Sequence, residues 1–129
     1  MEKNDARILV IDDDENIRTL YVERLKAEGF TVESAANGEK GLARVTDFNP
    51  DVILLDIMLP KISGFSVLEI LKTTKEYKNI PVIILSALTQ SEDRARGVTA
   101  GATAYLTKSE SLPAEVVNKV KEVLKKKKG

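Results

Sequence analysis

"RILVIDDDENIR", residues 7–18, decides how this chain reads. Ile8 to Ile11 are four apolar residues without a break, as in a strand buried on both faces. Asp12, Asp13, Asp14 and Glu15 follow at once. Like charges repel, so four successive carboxylates at the mouth of a core need a reason. A following helix can use one or two of them at its N-terminus. The rest suggest that a cation belongs among them.

Beyond this stretch, apolar runs alternate with amphipathic segments. A helix is expected over 16–29, with Ile17, Leu20, Tyr21 and Leu25 on its stripe and Gly29 as its stop. "FTVESA" (30–35) alternates, as a strand near a sheet edge does. A helix over 38–49 carries Leu42 and Val45, and "DVILLDIML" (51–59) is a third strand. The helix over 64–77 sets Phe65, Leu68 and Leu71 on one face, before a fourth strand at "IPVIILSA" (80–87). In "TQSEDRARGVTAG" (89–101), Thr89 and Glu92 have capping-box spacing. The expected inward positions there, Ala95, Val98 and Ala102, are small, which makes this the least firmly packed helix. "AYLTK" (104–108) is a short fifth strand. A last helix over 113–128 has Pro113 just inside its start and Val116, Val117, Val120, Val123 and Leu124 along one stripe. Lys125 to Lys128 are read as cations offsetting the dipole at its C-terminus.

Five βα units with short connections make a doubly wound α/β domain. Its parallel five-stranded sheet carries helices on both faces. One domain over 1–129, with its core at about 7–125, is expected, since 129 residues with 43% apolar content suffice for a single core.

Composition narrows the chemistry. Without Cys or His there is no thiolate site, no imidazole acid–base catalyst and no Ser-His-Asp triad. A metal here must be held by oxygen, which favours Mg²⁺, Ca²⁺ or Mn²⁺. Lys plus Arg equals Asp plus Glu at 20, so nothing draws the chain to nucleic acid or acidic membranes, and no direct contact with either is expected. No apolar run nears the roughly 20 residues that span a bilayer. The start "MEKNDAR" is polar rather than signal-like, and a cytoplasmic protein is expected.

In a parallel sheet the strand C-termini open on one edge, where ligands bind. Asp12 and Asp13 end the first apolar run, Asp56 the third, Ser86 the fourth and Lys108 the fifth. Singly, each has an ordinary reading as a cap, a turn residue or a solvated side chain. Together, three carboxylates, a hydroxyl and an ammonium make a site for a divalent cation and a phosphoryl group.

"ILVIDD", "DVILLDIMLP…G", "PVIILSA" and "GATAYLTK" resemble the receiver (CheY-like) domain of two-component response regulators, from about Arg7 to Lys125. The resemblance implies the flavodoxin-like strand order 2-1-3-4-5 and a phosphorylation-dependent signalling switch rather than a turnover enzyme. It implies Asp56 as phosphoacceptor, taking the group from a phosphohistidine of a sensor histidine kinase or phosphotransfer protein. Asp13 becomes a direct Mg²⁺ ligand, Asp12 one acting largely through water, and Met58 a donor of its backbone carbonyl. Ser86 becomes the switch hydroxyl, Lys108 the partner of a phosphoryl oxygen, and Tyr105 an aromatic that turns inward with Ser86. Asp14 and Glu15 are then dispensable residues of the next helix's first turn. The fourth helix, fifth strand and fifth helix form the output surface toward an unknown protein or domain, in a monomer or a phosphorylation-dependent dimer. Met58 and Leu88, apolar where polar residues orient an attacking water, tune self-dephosphorylation to be slow. A stand-alone regulator and a receiver unit of a longer one both fit this reading.

One position departs from the family. Ser109 follows Lys108 where the family usually has a proline joined by a cis bond. A cis bond before a non-proline costs about 2.5–4 kcal/mol, so a trans bond and an altered loop are expected. Three other readings compete. A haloacid-dehalogenase-type phosphatase needs a second Asp where Met58 stands, and a flavodoxin-like carrier needs a phosphate loop where "DDDEN" would repel one. A degenerate receiver serving only for docking does not need Asp56, Asp13, Ser86 and Lys108 together.

Overall fold

A computed structural model describes residues 6–128 of the chain, with the side chains of Lys127 and Lys128 not included. The polar start at Met1–Asp5 and the tip of the basic run therefore lie outside the described residues. The elements are β1 (Arg7–Ile11), α1 (Glu15–Ala27), β2 (Thr31–Ala35), α2 (Gly38–Phe48), β3 (Val52–Leu55), α3 (Gly64–Thr73), β4 (Val82–Ser86), α4 (Ser91–Thr99), β5 (Ala104–Thr107) and α5 (Pro113–Lys128). All five strands are parallel, in the order β2-β1-β3-β4-β5. The alternating strand β2 is an edge, as its pattern predicts.

Successive side chains on a strand face opposite sides of the sheet, so the core has two halves. Ile8, Val10, Val52, Leu54, Ile83 and Leu85 pack with Tyr21 and Leu25 of α1 and with the valine stripe of α5. Leu9, Ile11, Ile53, Leu55, Val82 and Ile84 pack with Val45 and Phe48 of α2, with Phe65, Val67, Leu68 and Leu71 of α3, and with Tyr105. Burial on both faces is why β1, β3 and β4 read as unbroken apolar runs.

Helix ends follow local chemistry. Asp14 is the N-cap of α1; its Oδ1 accepts from the N–H groups of Asn16 (2.9 Å) and Ile17 (3.2 Å). It is therefore a structural cap rather than a dispensable first-turn residue. Gly29 (φ 95°) lets the chain leave α1 through a Schellman turn, with Gly29 N–H on Lys26 O (2.9 Å) and Phe30 N–H on Leu25 O (3.3 Å). The expected stripe of α1 loses Leu20, which is exposed.

Two helices differ from the sequence reading. α3 stops at Thr73 rather than Tyr77. The Thr74 hydroxyl donates back to Ile70 O (2.6 Å), and Thr74 is extended. Residues 74–78 then form a separate turn, held by the Lys72 ammonium on the carbonyls of Lys78 (3.1 Å) and Ile80 (2.7 Å). α4 begins after Gln90 with no side-chain cap, so the Thr89–Glu92 capping box does not form. Ala95 and Val98 face solvent, with Ala102 only partly buried; Gly97 is the buried residue of this helix. A Cβ at Gly97 would lie 2.8 Å from Ile84 Cδ1 and 3.0 Å from Tyr105 Cδ2. Close backbone approach, not a row of small apolar side chains, seats α4. Two guanidinium groups add to it: Arg94 lies 5.4 Å from the Tyr105 ring centroid and Arg96 4.1 Å from that of Phe65.

Candidate functional site

The C-terminal edge of the sheet gathers the polar residues the sequence points to. Asp12 and Asp56 each follow directly on a central strand, and both are buried. Asp13 beside them is exposed. Carboxylate oxygens of Asp12, Asp13 and Asp56 lie within 4.8 Å of one another. The Lys108 ammonium reaches in from the end of β5, 2.9 Å from Asp12 Oδ2 and 3.2 Å from Asp56 Oδ2. Its backbone N–H is fixed on Ser86 O at 2.8 Å.

The second oxygens are held by the main chain. Asp56 Oδ1 accepts from Met58 N–H (3.1 Å) and Asp12 Oδ1 from Asp14 N–H (2.9 Å). Arg18, one turn into α1, donates to the carbonyl of Asp12 (2.8 Å) and so braces the acidic pair from behind. Gly64 permits the tight β3–α3 connection: a Cβ there would lie 2.2 Å from Asp56 O and 2.5 Å from Ile57 Cα.

Burial, then the Asp12 charge, push the Asp56 carboxyl above its ordinary range, while Lys108 and the Met58 N–H offset part of this. Burial works against the Lys108 ammonium too. Its hydrogen bond to Asp12 and the charges of Asp56 and Asp12 outweigh that and raise its pKa. Three carboxylates face one ammonium here, so the cluster carries excess negative charge in a partly dry setting. Hard, anionic oxygen donors at this spacing fit a divalent cation such as Mg²⁺.

Ser86 ends β4, fully buried, and its Oγ accepts from Leu88 N–H at 3.2 Å. Tyr105 lies inward at 7% exposure and donates its hydroxyl to Leu88 O at 3.0 Å. The main chain of Leu88 thus joins Ser86 to Tyr105, a role its side chain does not disclose. Met58 stands at the rim, 54% exposed. The Lys108–Ser109 bond is trans, as no cis peptide occurs among the described residues.

This geometry coincides with what comparison finds. The family model for the response regulator receiver domain matches residues 8–121. The chain belongs to that family. A DNA-binding dual master transcriptional regulator, RpaA of Synechocystis sp., is 44% identical over 102 residues, covering 79% of this chain and 42% of that protein. The alkaline phosphatase synthesis regulator PhoP of Bacillus subtilis is 38% identical over 121 residues, covering 93% of this chain and 49% of PhoP. The chain therefore spans less than half the length of these curated relatives. Among solved structures, a CheY-like receiver domain from Methanospirillum hungatei superposes with a TM-score of 0.88 at 32% identity, covering 97% of this chain and 98% of that one.

As a response regulator receiver domain, the chain is a signalling module and not a classical enzyme. Receiver domains of response regulators interact with histidine kinases. No helix among the described residues is long and apolar enough to cross a membrane. The sequence reading misses Arg18 and takes Asp14 for dispensable. Only Asp14 left a signal, since Asp directly before a helical stripe is an N-cap pattern.

Proposed function

We propose that this receiver domain takes a phosphoryl group onto Asp56 from a phosphohistidine of a sensor kinase or phosphotransfer protein. The observation that supports it most is the meeting of Asp12, Asp13 and Asp56 within 4.8 Å, with Lys108 across Asp12 and Asp56. One Asp56 carboxylate oxygen attacks phosphorus in line, and the P–N bond to the donor imidazole breaks with its electron pair left on nitrogen. Met58 N–H and Lys108 hold the Asp56 carboxylate at a fixed angle, so attack requires no search for orientation. Asp13, Asp56 and the Met58 carbonyl would hold Mg²⁺, with Asp12 acting through water, and the ion's part is to neutralise phosphoryl oxygens. Lys108 then exchanges a carboxylate oxygen for a phosphoryl oxygen, and the Ser86 hydroxyl, released from Leu88 N–H, donates to another. That exchange frees the Leu88 segment at the root of α4, biasing Tyr105 and the α4–β5–α5 surface toward an output partner.

Incubation with acetyl phosphate and Mg²⁺, read by intact mass, tests the assignment. The wild type gains one phosphoryl mass that hydroxylamine removes, and Asp56→Asn gains none. Equal labelling of Asp56→Asn would overturn it.

A further inference from the structure

Lys108 is the second residue of a four-residue turn, and one pair of residues closes that turn twice. Glu110 N–H donates to Thr107 O at 3.2 Å. In return the Thr107 hydroxyl donates to Glu110 Oε1 at 2.6 Å. Thr107 is 1% exposed, and the Glu110 carboxylate is its hydroxyl's acceptor inside the protein. Ser111 N–H adds a second donor to Thr107 O at 3.0 Å. Lys108 and Ser109 are thus suspended between two residues that hold each other by main chain and side chain.

The same carboxylate faces α4. Arg94 Nη2 lies 3.4 Å from Glu110 Oε1, while Arg94 Nη1 donates to Tyr105 O at 3.2 Å and the guanidinium lies over the Tyr105 ring. The Arg94–Glu110 pair is exposed and worth little as a salt bridge. The Thr107–Glu110 bond is different: it is short, charge-assisted and fixed at its buried end.

We propose that Glu110 is a positioning residue for Lys108, fixing through Thr107 the turn from which the ammonium reaches Asp12 and Asp56. Arg94 ties that turn to α4. Where Lys108 leaves a rigid turn, its long side chain meets both carboxylates at little further entropic cost; a loosened turn spreads Nζ over more positions. The inference rests on the proposed role of Lys108 in phosphoryl transfer, but the position of Nζ can be measured without any phosphoryl donor.

The experiment compares wild type, Glu110→Ala, Glu110→Gln and Thr107→Val. Trace acetic anhydride labelling, read by peptide mass spectrometry against the other lysines, reports Lys108 directly. Acetyl phosphate labelling of Asp56 at saturating Mg²⁺ reports its use. Glu110 is on the surface, so its variants are expected to fold; Thr107→Val opens the same closure from the buried end with little change in shape. Lys108 is expected to acylate several-fold faster in Glu110→Ala and Thr107→Val, with Asp56 phosphorylated about tenfold more slowly. Glu110→Gln, whose amide oxygen accepts the same bond, is expected to recover most of both. Unchanged Lys108 reactivity in Glu110→Ala and Thr107→Val overturns the proposal, and so does a Gln variant as impaired as the Ala variant. If no variant, wild type included, is phosphorylated, the phosphoacceptor reading fails, while the labelling still decides the role of Glu110.

Discussion

Lys108 Nζ stands 2.9 Å from Asp12 Oδ2, closer than the 3.2 Å that separates it from Asp56. The ammonium therefore serves Asp12 as much as the expected phosphoacceptor. Its first task is to make two buried carboxylates tolerable beside each other.

Lys108→Ala removes that compensation. Breaking one side of a buried pair costs about 3–5 kcal/mol, and the partial exposure of Lys108 puts the expected loss near the lower end. Urea unfolding in EDTA measures it. Millimolar Mg²⁺ should recover part of the loss, because a cation then offsets the same carboxylates. An equal loss with and without Mg²⁺ would count against this shared-charge account.

Mg²⁺ itself is expected to raise the melting temperature of the wild type. A ligand bound only by the native state adds about 2.7 kcal/mol at a hundredfold excess over its Kd. Asp13 is exposed and caps no helix, so Asp13→Ala should fold well and lose most of the shift. Calorimetry with EDTA and with Mg²⁺ compares the two. A shift of undiminished size in Asp13→Ala would show that the cation acts elsewhere.

The raised pKa of Asp56 gives a pH signature in the presence of chelator. A carboxyl whose folded pKa exceeds its unfolded value binds more protons when folded, between those two values. Its contribution to stability is best at low pH and falls as pH rises through that window, which opens near the ordinary value of 3.8. Asn carries no such charge. Asp56→Asn should thus be more stable than wild type at pH 7, and the gap should close as pH falls toward 4. Paired denaturation curves across that range check the sign; a gap that widens on acidification would contradict it.

Much of this was legible in sequence because the strands are unambiguous. β1, β3 and β4 are buried on both faces and can only read as unbroken apolar runs, so the strand ends, and with them Asp12, Asp56 and Ser86, were fixed. The seating of α4 was not legible, since its seat is the missing side chain of Gly97 and two arginines over aromatic rings. Guanidinium stacking has no periodic apolar signature, and Val98 at helical spacing was a false one. Glu110 was hidden for another reason: its partner Thr107 is three residues away, and turn closure by side chains needs geometry that spacing alone does not supply.

Gly64 and Gly97 should respond differently to alanine. At Gly64 the new Cβ meets backbone, Asp56 O at 2.2 Å and Ile57 Cα at 2.5 Å, so the segment carrying the phosphoacceptor must shift. At Gly97 it meets side-chain ends that can turn aside. Overpacking costs about 1–3 kcal/mol, and more where nothing can yield. Gly64→Ala should sit at or above the top of that range and slow Asp56 phosphorylation. Gly97→Ala should cost less and instead displace the Tyr105 ring. Fluorine NMR of 3-fluorotyrosine protein reads that directly, since the chain has only three tyrosines. A Gly97→Ala variant with an unmoved Tyr105 signal would argue that α4, not the ring, gives way.

The lifetime of the phosphorylated state depends on what stands above Asp56. Met58 is half exposed at the rim and Leu88 is partly packed in the core, so neither offers a polar group to an incoming water. Hydrolysis of an acyl phosphate needs water in line, and an apolar rim neither binds nor orients it. Met58→Asn should shorten the lifetime, since the backbone N–H that holds Asp56 is kept and only the rim becomes polar. Leu88→Glu is a harsher change: it removes packing beside the segment that bonds Ser86 and Tyr105. The single variant at Met58 is therefore the cleaner probe, and the double variant should decay faster still if its fold survives. Phosphate release after rapid removal of acetyl phosphate gives the rates. Should Met58→Asn decay at the wild-type rate while circular dichroism shows an intact fold, access of water is not what limits hydrolysis, and the stability of the Lys108 contact becomes the better explanation.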